Sequence, residues 1–401
     1  MYIPSQEILE KYAHLLVRFA LNEWKGVSPG DVIYIQIPEC AKPLYIPLQK
    51  AVLQAGAIPL FQYLADGVDR SFYEYASDEA LTYYPKEYML SRVATMDHRL
   101  FILASDNKHE LESIAPEKIF ARSRWMKFYR DALEEKENQG KYTRCLAMYG
   151  TAAMAQEAGC SLEEYRQQII EACYLDTEDP IAERKAVRGK LKKVQTYLSE
   201  LPIESVHVLW PDVDLHVRIG EKRKRLAGSG RNIPSFEAFV SPDRRWTNGR
   251  IRFNQPLYRH GVLIKDIELH FTDWKVTKAS ASNNLETLEK MIAQENADKV
   301  GEFSLTDKRF SRITRFMAET LFDENVGGPF GNCHIALGNA YKDSYAGDPA
   351  TLSEEERTDL GFNQSVIHTD IISTTNRIVT ATLRDGTEHI LYKDGMFTFL
   401  E

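Results

Sequence analysis

A histidine and an aspartate flank one threonine in His368-Thr369-Asp370. If that segment is extended, both side chains leave the same face, because strand side chains alternate. Glu302, Glu324 and His334 lie upstream. Imidazole nitrogens and carboxylate oxygens in this mixture suit a pair of divalent cations that activate water. Convergence of these groups in space is the expectation that makes the chain a metal-dependent hydrolase. No single member proves it: a lone glutamate is usually a surface charge, and a lone histidine is usually capped or half-buried. The compact helical signatures Glu-x-x-His and His-Glu-x-x-His are absent.

The elements that must hold these groups divide the chain in two. In the first half, Ser5 is placed to cap a helix carrying Ile8, Leu9, Tyr12, Leu16 and Phe19 on one stripe. Gly30 precedes a strand over 31–37, a helix over 44–54 ends near Gly56, and Ile58-Pro59-Leu60-Phe61 and Leu100-Phe101-Ile102-Leu103 read as two more strands. Such alternation predicts an α/β domain with a mostly parallel sheet. Asp179-Pro180 opens a helix with Val187, Leu191, Val194 and Leu198 recurring along it, and Leu201-Pro202 ends it. The domain boundary is expected there, giving residues 1–201 and 202–401.

The second half alternates apolar and polar residues at Val213, Leu215, Val217 and Ile219, and again at Ile267, Leu269 and Phe271. That pattern predicts an α+β domain rich in antiparallel strands. Asp385-Gly386 and Asp394-Gly395 predict two tight hairpins. Two helices are expected, one over Leu285, Leu288 and Ile292, the other over Phe310, Ile313, Met317 and Leu321.

Composition narrows the partners. The formal charge of −8 argues against nucleic acid or an anionic membrane. The basic run Lys222-Arg223-Lys224-Arg225 is expected to be a solvated turn or strand edge. Five cysteines, Cys40, Cys145, Cys160, Cys173 and Cys333, are odd in number and unpaired in spacing. They predict reduced thiols in a cytoplasmic protein. The first residues have neither the basic lead nor the apolar core of a signal peptide, and no apolar run approaches the ~20 residues of a membrane span.

Rival motifs fail on their physics. Gly26-Val27-Ser28-Pro29-Gly30 matches a nucleophile elbow, but Pro29 has no N–H for an oxyanion hole, and the strand follows the serine instead of preceding it. Gly228-Ser229-Gly230 is too short for a phosphate cradle. Cys333, beside His334, is read as a small buried neighbour and not as a ligand. His207, His216, His260 and His270 are read as structural or surface residues.

Read together, Pro234-Ser235-Phe236-Glu237-Ala238-Phe239, Gly301-Glu302, Leu321-Phe322-Asp323-Glu324-Asn325, Cys333-His334-Ile335-Ala336-Leu337-Gly338 with Ala340-Tyr341, and His368-Thr369-Asp370 resemble the aminopeptidase T (M29) family of metallo-aminopeptidases. The resemblance runs through the second domain and more weakly through the first. It implies that Glu237, Glu302, Glu324, His334, His368 and Asp370 ligate two divalent ions (zinc, cobalt or manganese) and that Tyr341 stands beside them. It also implies a homodimer acting on short peptides. One departure is visible: Val326-Gly327-Gly328-Pro329-Phe330-Gly331 lengthens the loop between Glu324 and His334. Glycine-rich loops bulge without moving their ends, so both groups are still expected to face the metals.

On this reading Glu302 bridges the ions, Glu324 is either a ligand or the general base, and Tyr341 donates to the oxyanion. Two other readings stay open. A ring-cleaving dioxygenase would use one iron held by two histidines and a carboxylate. A non-catalytic binding protein would retain the ligands without turnover.

Overall fold

A computed structural model describes residues 3–259 and 262–400, so His260 lies outside the described residues. The chain forms two compact units, residues 1–181 with 229–233, and 182–228 with 234–401.

The first unit is built on a parallel sheet in the order Ile58–Leu64, Val32–Pro38, His98–Leu103, Thr143–Met148, Asn232–Ile233. The first three strands fall where the apolar runs predict them. The fourth, with a weaker apolar signature, and the short fifth are additions. Ser5 caps the helix Gln6–Leu15, its Oγ accepting from Ile8 N at 3.3 Å. Ile33, Ile35 and Ile37 are buried on one face of their strand, and Tyr34, on the other, packs with Met89, Val93, Tyr129 and Leu133. A sheet covered on both faces is what continuous apolar strands require.

The division falls at 181/182 and not at 201/202. From Ala182 on, the helix Pro180–Glu200 belongs to the second unit, where Arg184, Gln195 and Tyr197 find their partners. Arg184 lies over the Phe236 ring and donates to Ser235 O, Gln195 donates to Arg225 O, and Tyr197 stacks on Phe399 at 3.8 Å.

The second unit has an eight-stranded sheet running Lys275–Ser280, Glu268–Thr272, Thr247–Arg252, Val213–Arg218, Ile203–Trp210, Ile378–Leu383, Glu388–Lys393, Met396–Phe397. A five-stranded sheet runs His368–Ser373, Asn332–Gly338, Val300–Thr306, Glu237–Val240, Leu226–Ala227. All the pairings in both are antiparallel. Both Asp-Gly hairpins form, the second with Asp394 and Gly395 at positive φ, the geometry that tight hairpin turns favour.

Two expectations fail here. The helix over Phe310 to Leu321 is a buried loop ending in one helical turn, Thr320–Asp323. Phe310, Ile313 and Met317 are buried, but side chains capture the backbone amides a helix would use. The Asp323 carboxylate accepts from Met317 N at 2.6 Å and Glu319 N at 2.9 Å, and Ser311 Oγ accepts from Ile313 N. Asp323→Ala strips a partner from two amides and is expected to cost about 2–4 kcal/mol, read as a lowered denaturant midpoint. The basic run is only half solvated: Lys222 and Lys224 are exposed, as expected, but Arg223 and Arg225 are buried. Arg223 stacks on Phe362 and donates to Ser241 O at 2.6 Å and Leu360 O at 2.8 Å, so it braces loops beside the five-stranded sheet.

Candidate metal centre

Strand register assembles the site. In the five-stranded sheet Glu237 lies opposite Thr306, His334 opposite Ser304, Ala336 opposite Glu302 on one side and Asp370 on the other, and His368 opposite Gly338. Residues opposed across an antiparallel pair share a face, as do residues two apart on a strand. Glu237, Glu302, His334, His368 and Asp370 therefore leave one face together. Cys333, one residue out of phase with His334, points to the opposite face and is fully buried, in keeping with its structural reading. A bulge at Gly301 resets the register. A side chain at Gly301 would collide with the Gly338 and Asn339 carbonyls.

The headgroups meet. His334 Nε2 lies 3.2 Å from Glu237 Oε2, 3.2 Å from Glu302 Oε1 and 3.8 Å from Asp370 Oδ1. His368 Nε2 lies 3.8 Å from Glu302 Oε2 and 3.4 Å from Asp370 Oδ1. The two oxygens of Glu302 are thus divided between two imidazoles. Glu237, Glu302 and His334 offer donor atoms within 4.8 Å of one another.

Glu324 joins from outside the sheet, at the end of the Thr320–Asp323 turn, buried and under the charges of Glu237, Asp370 and Glu302. The lengthened loop after it is clamped at both ends. Asn332 Nδ2 donates to Glu324 O at 2.6 Å, and Phe236 N donates to Asn325 Oδ1 at 2.6 Å, which ties the turn to the strand bearing Glu237. Gly331 sits at φ 63° against Tyr392 Oη and Thr306 O, where no side chain fits. The Tyr341 ring lies 4.7 Å from that of His368.

Sequence reasoning missed the groups that aim these ligands. Ser304 Oγ donates to Glu237 Oε2 at 2.8 Å. His368 Nδ1 meets Asn339 O at 2.8 Å, and His334 Nδ1 faces Asn332 Oδ1 at 3.4 Å, which leaves both Nε2 atoms toward the carboxylates. Outer partners of this kind fix ring orientation and tautomer. Ser304 and Asn332 are each two residues from a candidate ligand on the same strand, so alternation alone would have found them.

The charges do not balance within the protein. Four buried carboxylates face two imidazoles. Burial, with the charges of Glu237 and Asp370, raises Glu302 from its ordinary 4.5 to about 7 despite the hydrogen bond from His334. Burial, Glu237 and Asp370 also hold Glu324 well above the usual range. Burial would lower both histidines, but hydrogen bonds to Glu237 and Glu302 hold His334 well above normal, and Asp370 lifts His368 to about 9. Burial would raise Asp370, but the charge of His368 beside it prevails and brings it to about 2. A buried cluster whose carboxylates take up protons for want of positive charge offers the oxygen and nitrogen donor set that suits a hard or borderline cation.

A profile of the family described as thermophilic metalloprotease (M29) matches residues 5–397. The chain belongs to this family of metallo-aminopeptidases. It is 28% identical to Aminopeptidase T of Thermus thermophilus, over 96% of this chain and 97% of that protein. It is 26% identical to Aminopeptidase 2 of Geobacillus stearothermophilus, over 98% of each. The solved wild-type AmpT from Thermus thermophilus shares the fold with a TM-score of 0.84 at 24% identity, covering 98% of this chain and 99% of that one. The dioxygenase reading gains no support from these relatives. Among the described residues no helix is long and apolar enough to cross a membrane, and none of the five cysteines is in a disulfide.

Proposed function

We propose that this enzyme is a two-metal aminopeptidase that removes N-terminal residues from short peptides, with Glu237, Glu302, Glu324, His334, His368 and Asp370 as its ion-binding set. The observation that carries the reading is the division of the Glu302 carboxylate, Oε1 toward His334 and Oε2 toward His368. Those contacts outline two overlapping donor sets, Glu237–Glu302–His334 and Glu302–His368–Asp370, with Glu302 common to both. When bound, a pair of divalent ions supplies a water nucleophile of lowered pKa and polarises the scissile carbonyl.

The chain's own groups do the rest. Asn339 and Asn332 keep the imidazoles turned with Nε2 inward. Ser304 holds Glu237 in place. Glu324, the carboxylate reached from a loop and not from the sheet, either completes the ion-binding set or instead accepts the proton of the attacking water and passes it to the leaving amine. Tyr341 donates to the oxyanion as it develops. The excess of carboxylates favours a cationic α-amino group, which limits cleavage to chain ends. The same reading takes zinc, cobalt or manganese as the ions and a cytoplasmic homodimer as the working form. Five cysteines outside any disulfide support a reducing compartment.

Elemental analysis combined with a leucyl-nitroanilide assay before and after chelation tests the proposal. Near two ions per chain, turnover lost on chelation and regained with zinc, cobalt or manganese is the expected result. One iron per chain, or full turnover without metal, would refute it. Because the ligands must release protons to bind ions, loading should weaken as pH falls below about 7, where Glu302 retains its proton.

A further inference from the structure

A second group of metal-ligating side chains lies on the other sheet of the same unit and shares no residue with the buried centre. The strands Ile203–Trp210 and Val213–Arg218 pair antiparallel through a two-residue turn, with His207 opposite His216 and Leu209 opposite Asp214. Alternation sends Val206, Val208, Val213, Leu215 and Val217 into the core. It sends His207, Asp214 and His216 outward together, with side-chain exposures of 32%, 58% and 59%.

The imidazoles stack face to face at 3.9 Å with 9° between their planes. His207 Nε2 lies 2.8 Å and His216 Nε2 3.8 Å from the same Asp214 Oδ1. All three residues offer donor atoms within 4.8 Å of one another. Donors bound to one tetrahedral ion through ~2.0 Å bonds stand roughly 3.3 Å apart, a spacing these two distances bracket. A rigid β pair holds the three side chains together without a mobile loop. The lone pairs of the stacked rings run side by side, so rotation about the exposed side-chain bonds is what turns both onto one ion, and the remaining coordination positions fall to water. Asn248 and Thr380 flank the histidines on the neighbouring strands, and both are uncharged. Arg250, opposite Asp214, is the cation facing the group, and its Nη2 donates to Pro211 O at 3.1 Å.

We propose that His207, Asp214 and His216 form a surface site for one divalent transition-metal ion of the imidazole-preferring class, such as zinc, copper or nickel, and not for calcium or magnesium. The ion takes the place of the proton shared between His207 and Asp214. The full-length wild type and the H207A/H216A variant, each first saturated with zinc at the buried centre, are brought to equilibrium dialysis at neutral pH over a range of free zinc. Wild type should hold one more equivalent than the double variant, Asp214→Asn should hold that equivalent at least ten-fold more weakly, and excess magnesium should not displace it. Circular dichroism melting checks that the exposed substitutions leave the fold intact, and Asp214→Asn keeps the test decisive where the double variant is unstable. Equal zinc in wild type and the double variant, or Asp214→Asn binding as tightly as wild type, would overturn the site.

Discussion

Glu302→Gln should cut turnover by roughly 10³-fold and at the same time make the metal-free protein more stable at neutral pH. The first half follows from position. Glu302 is buried, and its two oxygens face two different imidazoles, so an uncharged amide deprives both donor sets of their common anion. Lewis-acid stabilisation of several kcal/mol is at stake, at about 1.4 kcal/mol per decade of rate. The second half follows from charge. Without cations, burial and the neighbouring Glu237 and Asp370 hold the Glu302 carboxyl at about 7, against 4.5 in the unfolded chain.

The sign of the pH effect is fixed by that direction. Between about 4.5 and 7 the folded metal-free protein retains a proton that the unfolded chain has released, so stability falls as pH rises through that window. Once pH exceeds 7 the whole loss, roughly 3 kcal/mol, is in place. Glutamine removes this contribution. His368, raised to about 9 chiefly by Asp370 and in part by Glu302, slopes the same way in a higher window: its stabilisation is complete below 6.5 and fades as pH climbs through 9, and the variant, lacking the Glu302 charge, keeps a smaller share of it. Denaturant unfolding of chelated wild type and E302Q at pH 5 and pH 8 separates the two. The variant should gain on wild type between these values. A variant less stable than chelated wild type at pH 8 would show that Glu302 is not an uncompensated buried anion. Loaded wild type should recover the deficit by mass action, and E302Q should not.

Much of the site was legible because strand alternation turns spacing into direction. His368 and Asp370, two apart, had to share a face, and the sheet supplied the rest by register. Glu324 is a different case. It reaches the site from a turn held by Asp323, Asn325 and Asn332, and no periodicity shows where such a turn will aim. The expected helix over Phe310 to Leu321 fails for a related reason. Apolar residues three and four apart anchor a buried loop as well as they mark a helix face, and the deciding interactions come from polar side chains outside the pattern. Arg223 and Arg225 show the limit of reading a charge run as solvated, since a guanidinium that finds carbonyls and an aromatic ring can be buried. The His207–Asp214–His216 cluster needed only the hairpin register, which the alternating strands implied but did not number.

Ala336→Leu should abolish metal loading in a protein that still folds. On the central strand of the five-stranded sheet, Ala336 has Glu302 directly across on one side and Asp370 on the other, and it shares their face with His334. Opposed Cβ atoms in such pairs stand about 5 Å apart. The two carboxylates therefore lean toward each other over a single methyl group, and the space above that methyl is where ions held by both donor sets would sit. Leucine adds three carbons there. Overpacking costs about 1–3 kcal/mol, which a domain of this size tolerates, whereas the proposed donor groups lose the space in which they would meet a common ion. Ala336→Gly is the matched control: it opens the space, costs about 0.5–1 kcal/mol through backbone entropy and should keep both loading and turnover. Ions per chain by elemental analysis, read beside a thermal melt, distinguish the outcomes. A leucine variant that loads and turns over as wild type does would mean the ions lie elsewhere than above Ala336, and the six-residue ion-binding set would have to be redrawn.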